Sequence, residues 1–334
     1  MASRQTTALA GVIAVCLLLR VAPTALARPA GLVPGDPYAD PRHDVFNPLR
    51  YIASNILTAI AVALVLVVGF AQTFFVWKYK TKWMLAMTIG CYTFAIGLAL
   101  RFGLHSDPHG RGLYIAEYLF VVLSPCAFIA AEYVLLGRLA RFLRADQHLL
   151  VSPQKITRVF VTSDIVTFLI QACGGAISAS ARTDPKKNEL GSHLFLAGLA
   201  AQLFSFVVFL GVFTHFLIRL YKHEPATWRA PKWKTLLAAM SFSFIGILIR
   251  SVFRTIELSE GFAGPLATSE KHFYGLDTLP LFIAIAIYVP FWPGRYIRTP
   301  ESRLELRPED QVAASEKSSP APESDHTHAT AEGR

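Results

Sequence analysis

The chain has 334 residues and a formal net charge of +9, yet 53% of its residues are hydrophobic and only 16% are charged. Soluble domains carry about 25% charged residues, so this composition, with a mean hydropathy of +0.41, excludes an ordinary soluble protein. Lys and Arg lie between apolar blocks rather than on one face of a polar domain, which argues against nucleic acid as a partner.

Residues 1–27 have the pattern of a secretory signal peptide. Arg4 precedes a short apolar run, and Ala25 and Ala27 fit the small-x-small pattern of a cleavage site. Arg20 interrupts this pattern, and an uncleaved anchor helix is the alternative. Residues 28–50 are rich in Pro, Gly and Asp and are expected to form an irregular extracellular segment.

The next part of the chain, residues 51–296, predicts an all-α, polytopic bundle of seven transmembrane helices. Each apolar block approaches the roughly 20 residues that cross a hydrocarbon core, and backbone inside lipid must satisfy its own hydrogen bonds. The blocks run approximately Ile52–Trp77, Trp83–Leu100, Leu113–Leu136, Val159–Ala179, His193–Ile218, Leu236–Val252 and Leu276–Trp292.

The distribution of Lys and Arg predicts the orientation of this bundle. The connections after the first, third and fifth blocks, together with the C-terminal tail, carry 19 Lys and Arg residues, and the opposite side, which includes Arg101, carries 10. Cytoplasmic loops are the richer ones in positive charge. We therefore expect the N-terminus outside and the C-terminus in the cytoplasm, where the polar residues 297–334 form a disordered tail.

One group of polar residues is expected near the outer side of the membrane. Arg250, Arg254 and Glu257 are spaced to share one face of the sixth helix, and Arg250 lies about 24 Å along that helix from Lys234. Carboxyl groups at a similar depth or at the outer rim are those of Glu117, Glu257, Glu270 and Asp277. Buried charges must find partners, so this outer cluster is either a substrate site or a structural clamp, and both interpretations stay open.

A second group of polar residues lies further inward. It consists of Glu132, Asp164, Gln171 and Gln202, with His215 nearby. Polar side chains also hold helices together in membranes, and this structural interpretation is favoured for the inner group. The adjacent glycines Gly174 and Gly175 predict a close approach of two helices.

The residues of the sixth block also carry a family resemblance. The stretch Ile249–Glu257, followed by Glu270, Tyr274 and Asp277, resembles the fungal resistance-to-aminocholesterol (RTA-like) family of lipid-translocating exporters. The resemblance covers roughly residues 51–294. Supporting positions are Ser124, Pro125, Glu132, Gly137, Arg138, Asp164, Gln171, Gly174, Gly198 and Gln202.

This resemblance implies a seven-helix protein of the plasma membrane or endomembranes that exports or flips lipids. Its implied partners are sphingoid bases or other toxic cationic amphiphiles, and its implied role is drug or stress resistance. The amine of such a ligand would pair with Glu257, Glu270 or Asp277, and Arg250 and Arg254 would hold a phosphate or organise the carboxylates. No cofactor, metal site or catalytic residue is predicted.

A seven-helix receptor or lipid sensor without transport activity is the main alternative. The common receptor features are missing from the sequence, including the Asn-Pro-x-x-Tyr motif of the seventh span. A retinal protein would need a Lys within residues 276–292, which contain none. A zinc hydrolase would need convergent His and Asp ligands, and His215 is the one deep histidine. No phosphate-binding loop indicates ATP hydrolysis.

Overall fold

The computed structural model describes residues 36–297, apart from residues 45, 151, 181–184, 225–227, 229–231 and 262–263. The predicted signal peptide and nearly all of the predicted tail lie outside these residues. Within the described part, every regular element is helical, which confirms the all-α prediction.

Six of the described helices are long and apolar enough to cross a membrane. The first two begin two or three residues later than predicted, at Asn55 and Leu85, and the other four cover their predicted blocks. All six continue past the predicted C-terminal ends, because polar residues there still complete helical turns. The six are α1 (Asn55–Tyr79), α2 (Leu85–Ser106), α3 (Arg111–Phe142), α4 (Pro153–Ser180), α5 (Pro185–His223) and α6 (Lys232–Ser259).

The seventh predicted block is helical but interrupted. We call it α7; it consists of a turn of α-helix, Glu270–His272, a six-residue π-helical stretch, Phe273–Thr278, and an eight-residue α-helix, Leu279–Ala286. Pro280 is the second residue after the π-helical stretch, and proline has no backbone N–H to continue a regular series of helical hydrogen bonds. A short helix, α8 (Pro293–Tyr296), comes after it. Because α7 is not among the six long helices, the seven-span count and the orientation remain predictions.

The helices pack in chain order into a closed bundle. Each of α1 to α6 contacts the next one along the chain, and α7 contacts both α6 and α1. Aromatic side chains such as Phe128, Phe209 and Phe244 fill the interior, whereas Ile56 and Phe70 of α1 are exposed on the outside. An apolar exterior of this kind is what lipid contact requires.

Contacts between helix ends define two sides of the bundle. On the side of residues 36–54, the N-side, the Ser54 amide donates to Glu270 Oε1 at 2.7 Å and the His105 ring bonds the Ala53 carbonyl at 2.7 Å. On the opposite side, the C-side, Trp292 Nε1 donates to Thr81 Oγ1 at 3.2 Å. Successive connections therefore alternate between the two sides.

The predicted close approach of two helices occurs at Gly174. A Cβ atom there would lie 2.5 Å from the Phe195 amide nitrogen of α5. Only a hydrogen atom fits at this crossing, so Gly174 lets the backbones of α4 and α5 touch.

Candidate functional site

A buried ion-pair network joins α6 to α7 on the N-side. Arg254 donates to both carboxylate oxygens of Asp277, Nε to Oδ1 at 2.6 Å and Nη2 to Oδ2 at 2.8 Å. The Arg254 Nη1 atom also donates to Glu257 Oε2 at 3.0 Å. Arg250 places Nε 3.1 Å from Asp277 Oδ1 and donates from Nη2 to the Val121 carbonyl at 2.8 Å. Paired guanidinium and carboxylate groups of this kind give strong, directional bonds.

A third arginine, Arg101 of α2, extends the network across the bundle. Its Nη1 atom donates to Glu117 Oε1 at 3.2 Å, and its Nη2 atom donates to the Tyr51 hydroxyl at 2.7 Å. The same Nη2 atom lies 3.8 Å from Glu270 Oε1. The guanidinium carbon is 4.1 Å from the centroid of the Phe273 ring, which is a favourable cation–π distance.

Phe273 connects the two halves of the network, because the Arg254 guanidinium also lies 5.5 Å from its ring centroid. We call the whole set the N-side cluster. It comprises three guanidinium groups and four carboxyl groups, those of Arg101, Arg250, Arg254, Glu117, Glu257, Glu270 and Asp277. The four carboxyl groups therefore outnumber the cations by one.

A small pocket of about 30 Å³ opens between the two halves of the N-side cluster. Its polar lining includes Arg101, Arg254 and the carboxyl groups of Glu117 and Glu257, and Leu49 from the N-terminal segment lies at its edge. Glu257 keeps 11% of its side chain exposed. A ligand could therefore meet a carboxylate here without breaking the deeper Asp277 pairs.

The structure brings together all six residues predicted for the outer cluster. Arg101, which was expected to be one of the outer-side loop charges, joins Glu117 and Glu270 to this cluster. The predicted second block ended at Leu100, so Arg101 resembled a loop residue, but α2 continues to Ser106 and leaves Arg101 only 1% exposed. Its position directly after an apolar run was the available signal. The aromatic partner Phe273 carried no sequence signal of its own.

The inner polar residues do not form one site. Glu132 faces α6 and the segment that follows α7, where it accepts hydrogen bonds from Ser243 at 2.6 Å and from the Tyr288 hydroxyl at 2.7 Å. Gln171 donates to Gln202 at 2.8 Å between α4 and α5. These contacts tie neighbouring helices together, as the structural interpretation of the inner group expects.

Asp164 differs from the other inner residues. It is 3% exposed, and neither of its carboxyl oxygens accepts a hydrogen bond from the described part of the chain. His215 was predicted to lie deep in the bundle, and its Nε2 atom is buried and has no hydrogen-bond partner among the residues described. Among the described residues, no group of three or more His, Cys, Asp or Glu side chains could hold a metal ion.

A closed bundle of apolar helices with charges gathered inside it defines an integral membrane protein. The family model described as "RTA1 like protein" matches residues 87–300, and the chain belongs to this family. The resemblance drawn from Ile249–Glu257 and Asp277 is thereby confirmed.

Three similar curated proteins come from Saccharomyces cerevisiae. Protein RTA1 is 31% identical over 205 residues, which cover 61% of this chain and 63% of the relative. Protoporphyrin uptake protein 1 is 28% identical over 60% of this chain and 65% of its own length. Sphingoid long-chain base transporter RSB1 is 26% identical over 61% of this chain and 62% of its own length. The chain thus spans a little under two thirds of these relatives, and no solved structure matches it.

Proposed function

We propose that this protein binds a cationic amphiphile, of the class of sphingoid long-chain bases, at the N-side cluster and moves it across the membrane. The observation that carries the proposal is the unequal charge of the cluster, with four carboxyl groups against three guanidinium groups. An uncompensated charge in a buried site is costly. A bound ammonium group would supply the missing positive charge.

The size of the pocket also favours an amine. Roughly 10–15 Å³ is enough to hold one water molecule, so a pocket of about 30 Å³ admits a group of ammonium size. An ammonium offers three N–H donors, and Glu117 and Glu257 offer acceptor oxygens on the pocket wall. A phosphorylated headgroup is larger, and its negative charge would add to the carboxyl excess.

The names of two relatives point to different ligands. One is named a sphingoid long-chain base transporter and another a protoporphyrin uptake protein. Porphyrins of that kind carry carboxylates, which the negative excess of the N-side cluster would oppose. The charge of the cluster therefore supports the amine as the ligand class for this chain.

The test is movement of a fluorescent sphingoid base into liposomes that contain the purified protein. We expect wild-type protein to move the base faster than empty vesicles do, and Glu257→Gln to lower the initial rate about tenfold, equivalent to about 1.4 kcal/mol of binding free energy. Glu260→Gln is the matched control, because Glu260 is an exposed carboxylate three residues away. It should leave the rate unchanged.

Three outcomes separate the alternatives. If wild-type protein binds the base saturably but moves none, the protein is a sensor rather than a transporter. If it neither binds nor moves the base, the ligand class is wrong. If Glu260→Gln lowers the rate as much as Glu257→Gln, the pocket is not the binding site.

A further inference from the structure

Asp164 is a buried carboxyl group that has no cationic partner in the described part of the chain. It lies about 16 Å along α4 from Pro153, close to the middle of a 28-residue helix. The Tyr133 hydroxyl lies close to the Asp164 carboxyl group. Among the described residues, however, no hydrogen bond of standard geometry reaches either Asp164 oxygen or that hydroxyl. No ion pair found among the described residues involves Asp164.

Three other buried carboxyl groups of the bundle do have partners. Asp277 is held by two arginines, Glu117 by Arg101, and Glu132 by two hydroxyl donors. An ionised carboxylate without such partners is unstable in an apolar interior, whereas the protonated group is tolerated. The surroundings of Asp164 therefore suit a carboxyl group that carries a proton.

The groups that face Asp164 reinforce this assignment. From α3, the titratable neighbours are the Tyr133 hydroxyl and the Cys126 thiol, and neither is a cation. From α5, Ser205 approaches the Tyr133 hydroxyl and Gln202 approaches Cys126. The packing around Tyr133 is aromatic, with the Phe209 ring centroid 4.5 Å from its own.

We propose that Asp164 is a proton-binding site that couples amphiphile movement to a proton gradient. In one step of the cycle the O–H bond of the Asp164 carboxyl group breaks, the electron pair stays on the oxygen, and the proton leaves to water on one side. In the return step, a proton from the other side restores the neutral acid. The inference rests on the proposed function, since it names the energy source of that transport.

Polar groups lie between Asp164 and the N-side cluster, and Cys126 interacts electrostatically with Asp164 itself. Gln171 follows Asp164 by seven residues, so both lie on the same face of α4, about 10 Å apart along the helix. Gln171 donates to Gln202 at 2.8 Å, and Gln202 donates to Cys126 Sγ at 3.2 Å. Cys126 in turn interacts electrostatically with Arg250. A change of charge at Asp164 can therefore reach the Arg250–Asp277 pair through neighbouring groups.

The first experiment measures transport under an imposed pH gradient. Proteoliposomes are compared with and without the gradient, using the same fluorescent base. We expect the gradient to raise the initial rate of wild-type protein several-fold, Asp164→Asn to keep downhill movement but lose this stimulation, and Asp164→Glu to retain it. Glu132→Gln, a buried carboxyl group that already has hydrogen-bond donors, is the matched control and should respond to the gradient as wild type does.

The second experiment detects the proton without transport. An acid-minus-alkaline infrared difference spectrum of wild-type protein should contain the carbonyl band of a carboxylic acid that shifts when isotope-labelled aspartate is incorporated. Asp164→Asn should lose that band, and Glu132→Gln should keep it. A spectrum in which no aspartate band changes with pH would overturn the proton site, even if Asp164→Asn fails to fold.

The two experiments separate two kinds of failure. If wild-type protein moves no base but the aspartate band is present, the proposed function fails and the proton site stands. If wild-type protein moves the base at equal rates with and without a gradient, coupling through Asp164 is wrong while the proposed function survives.

Discussion

Replacement of Asp277 by Asn tests whether the N-side cluster holds the bundle together. The substitution keeps the size of the side chain but removes the negative charge that pairs Arg254 at 2.6 Å and Arg250 at 3.1 Å. Asp277 is fully buried, and removing one partner of a buried ion pair costs about 3–5 kcal/mol. Ordinary polar contacts between membrane helices contribute about 0.6 kcal/mol on average. The two magnitudes differ enough for one experiment to decide between them.

The assay is reversible unfolding in mixed micelles with increasing SDS. We expect Asp277→Asn to lower the free energy of unfolding by about 3 kcal/mol or more, whereas Asp107→Asn, an exposed carboxylate on the same side, should change it by less than about 0.5 kcal/mol. The double variant Asp277→Asn with Arg250→Met should recover part of the loss, because it removes one unpaired cation. A loss below about 1 kcal/mol for Asp277→Asn would refute the reasoning, since the pair would then contribute no more than a common interhelical hydrogen bond.

Two further predictions concern helix contact and the N-terminal segment. A Cβ atom at Gly246 would lie 2.4 Å from the Pro280 carbonyl oxygen, whereas one at Gly211 meets nothing within 4 Å. In the same unfolding assay, Gly246→Ala should therefore lower the free energy of unfolding by about 1–3 kcal/mol, and Gly211→Ala should leave it unchanged or raise it. Equal losses in the two variants would contradict a close contact at Gly246. Partial burial raises the pKa of Asp44, but the hydrogen bonds from His109 and the Phe46 amide, with the nearby positive charges, together outweigh it and hold that pKa below the usual 3.8. This lowered pKa contributes stability that is present above the usual value and is lost as the pH falls through the lowered one. Protease cleavage within residues 36–54 should accordingly increase in acid, and Asp44→Asn should be cleaved readily at every pH; an acid response that survives in Asp44→Asn would assign it to another group.

The helices were predictable because membrane-spanning segments follow one dominant rule. A continuous apolar run must become a helix in lipid, and six of the seven blocks did so with a few extra turns at their ends. The seventh was harder, since the π-helical stretch at Phe273–Thr278 depends on how α7 packs against α6. Hydropathy reports composition and carries no information about a local change of helical register.

The charged residues of the candidate site could be predicted from the sequence, but the contacts between them could not. Helical spacing placed Arg250, Arg254 and Glu257 on one face, and that arrangement is present in the structure. Arg101 was assigned to a loop, because an arginine at the end of an apolar run has the same pattern whether it faces water or turns inward. Its true place depends on Glu117 and Phe273 from other helices, which the one-dimensional pattern does not relate to it.

The two proposed sites share one physical feature: each has one carboxyl group more than its positive groups can balance. At the N-side cluster the deficit is a carboxyl group beyond the three arginines, and an ammonium group would fill it. At Asp164 no positive group balances the carboxylate among the described residues, and a proton would neutralise it. A cycle in which one ammonium leaves as one proton enters moves no net charge through the bundle, so a pH difference can drive it without any contribution from membrane voltage. Arg250 belongs to the N-side cluster through Asp277 and lies near Cys126, which also neighbours Asp164, so it is the residue through which occupancy of one site can alter the other.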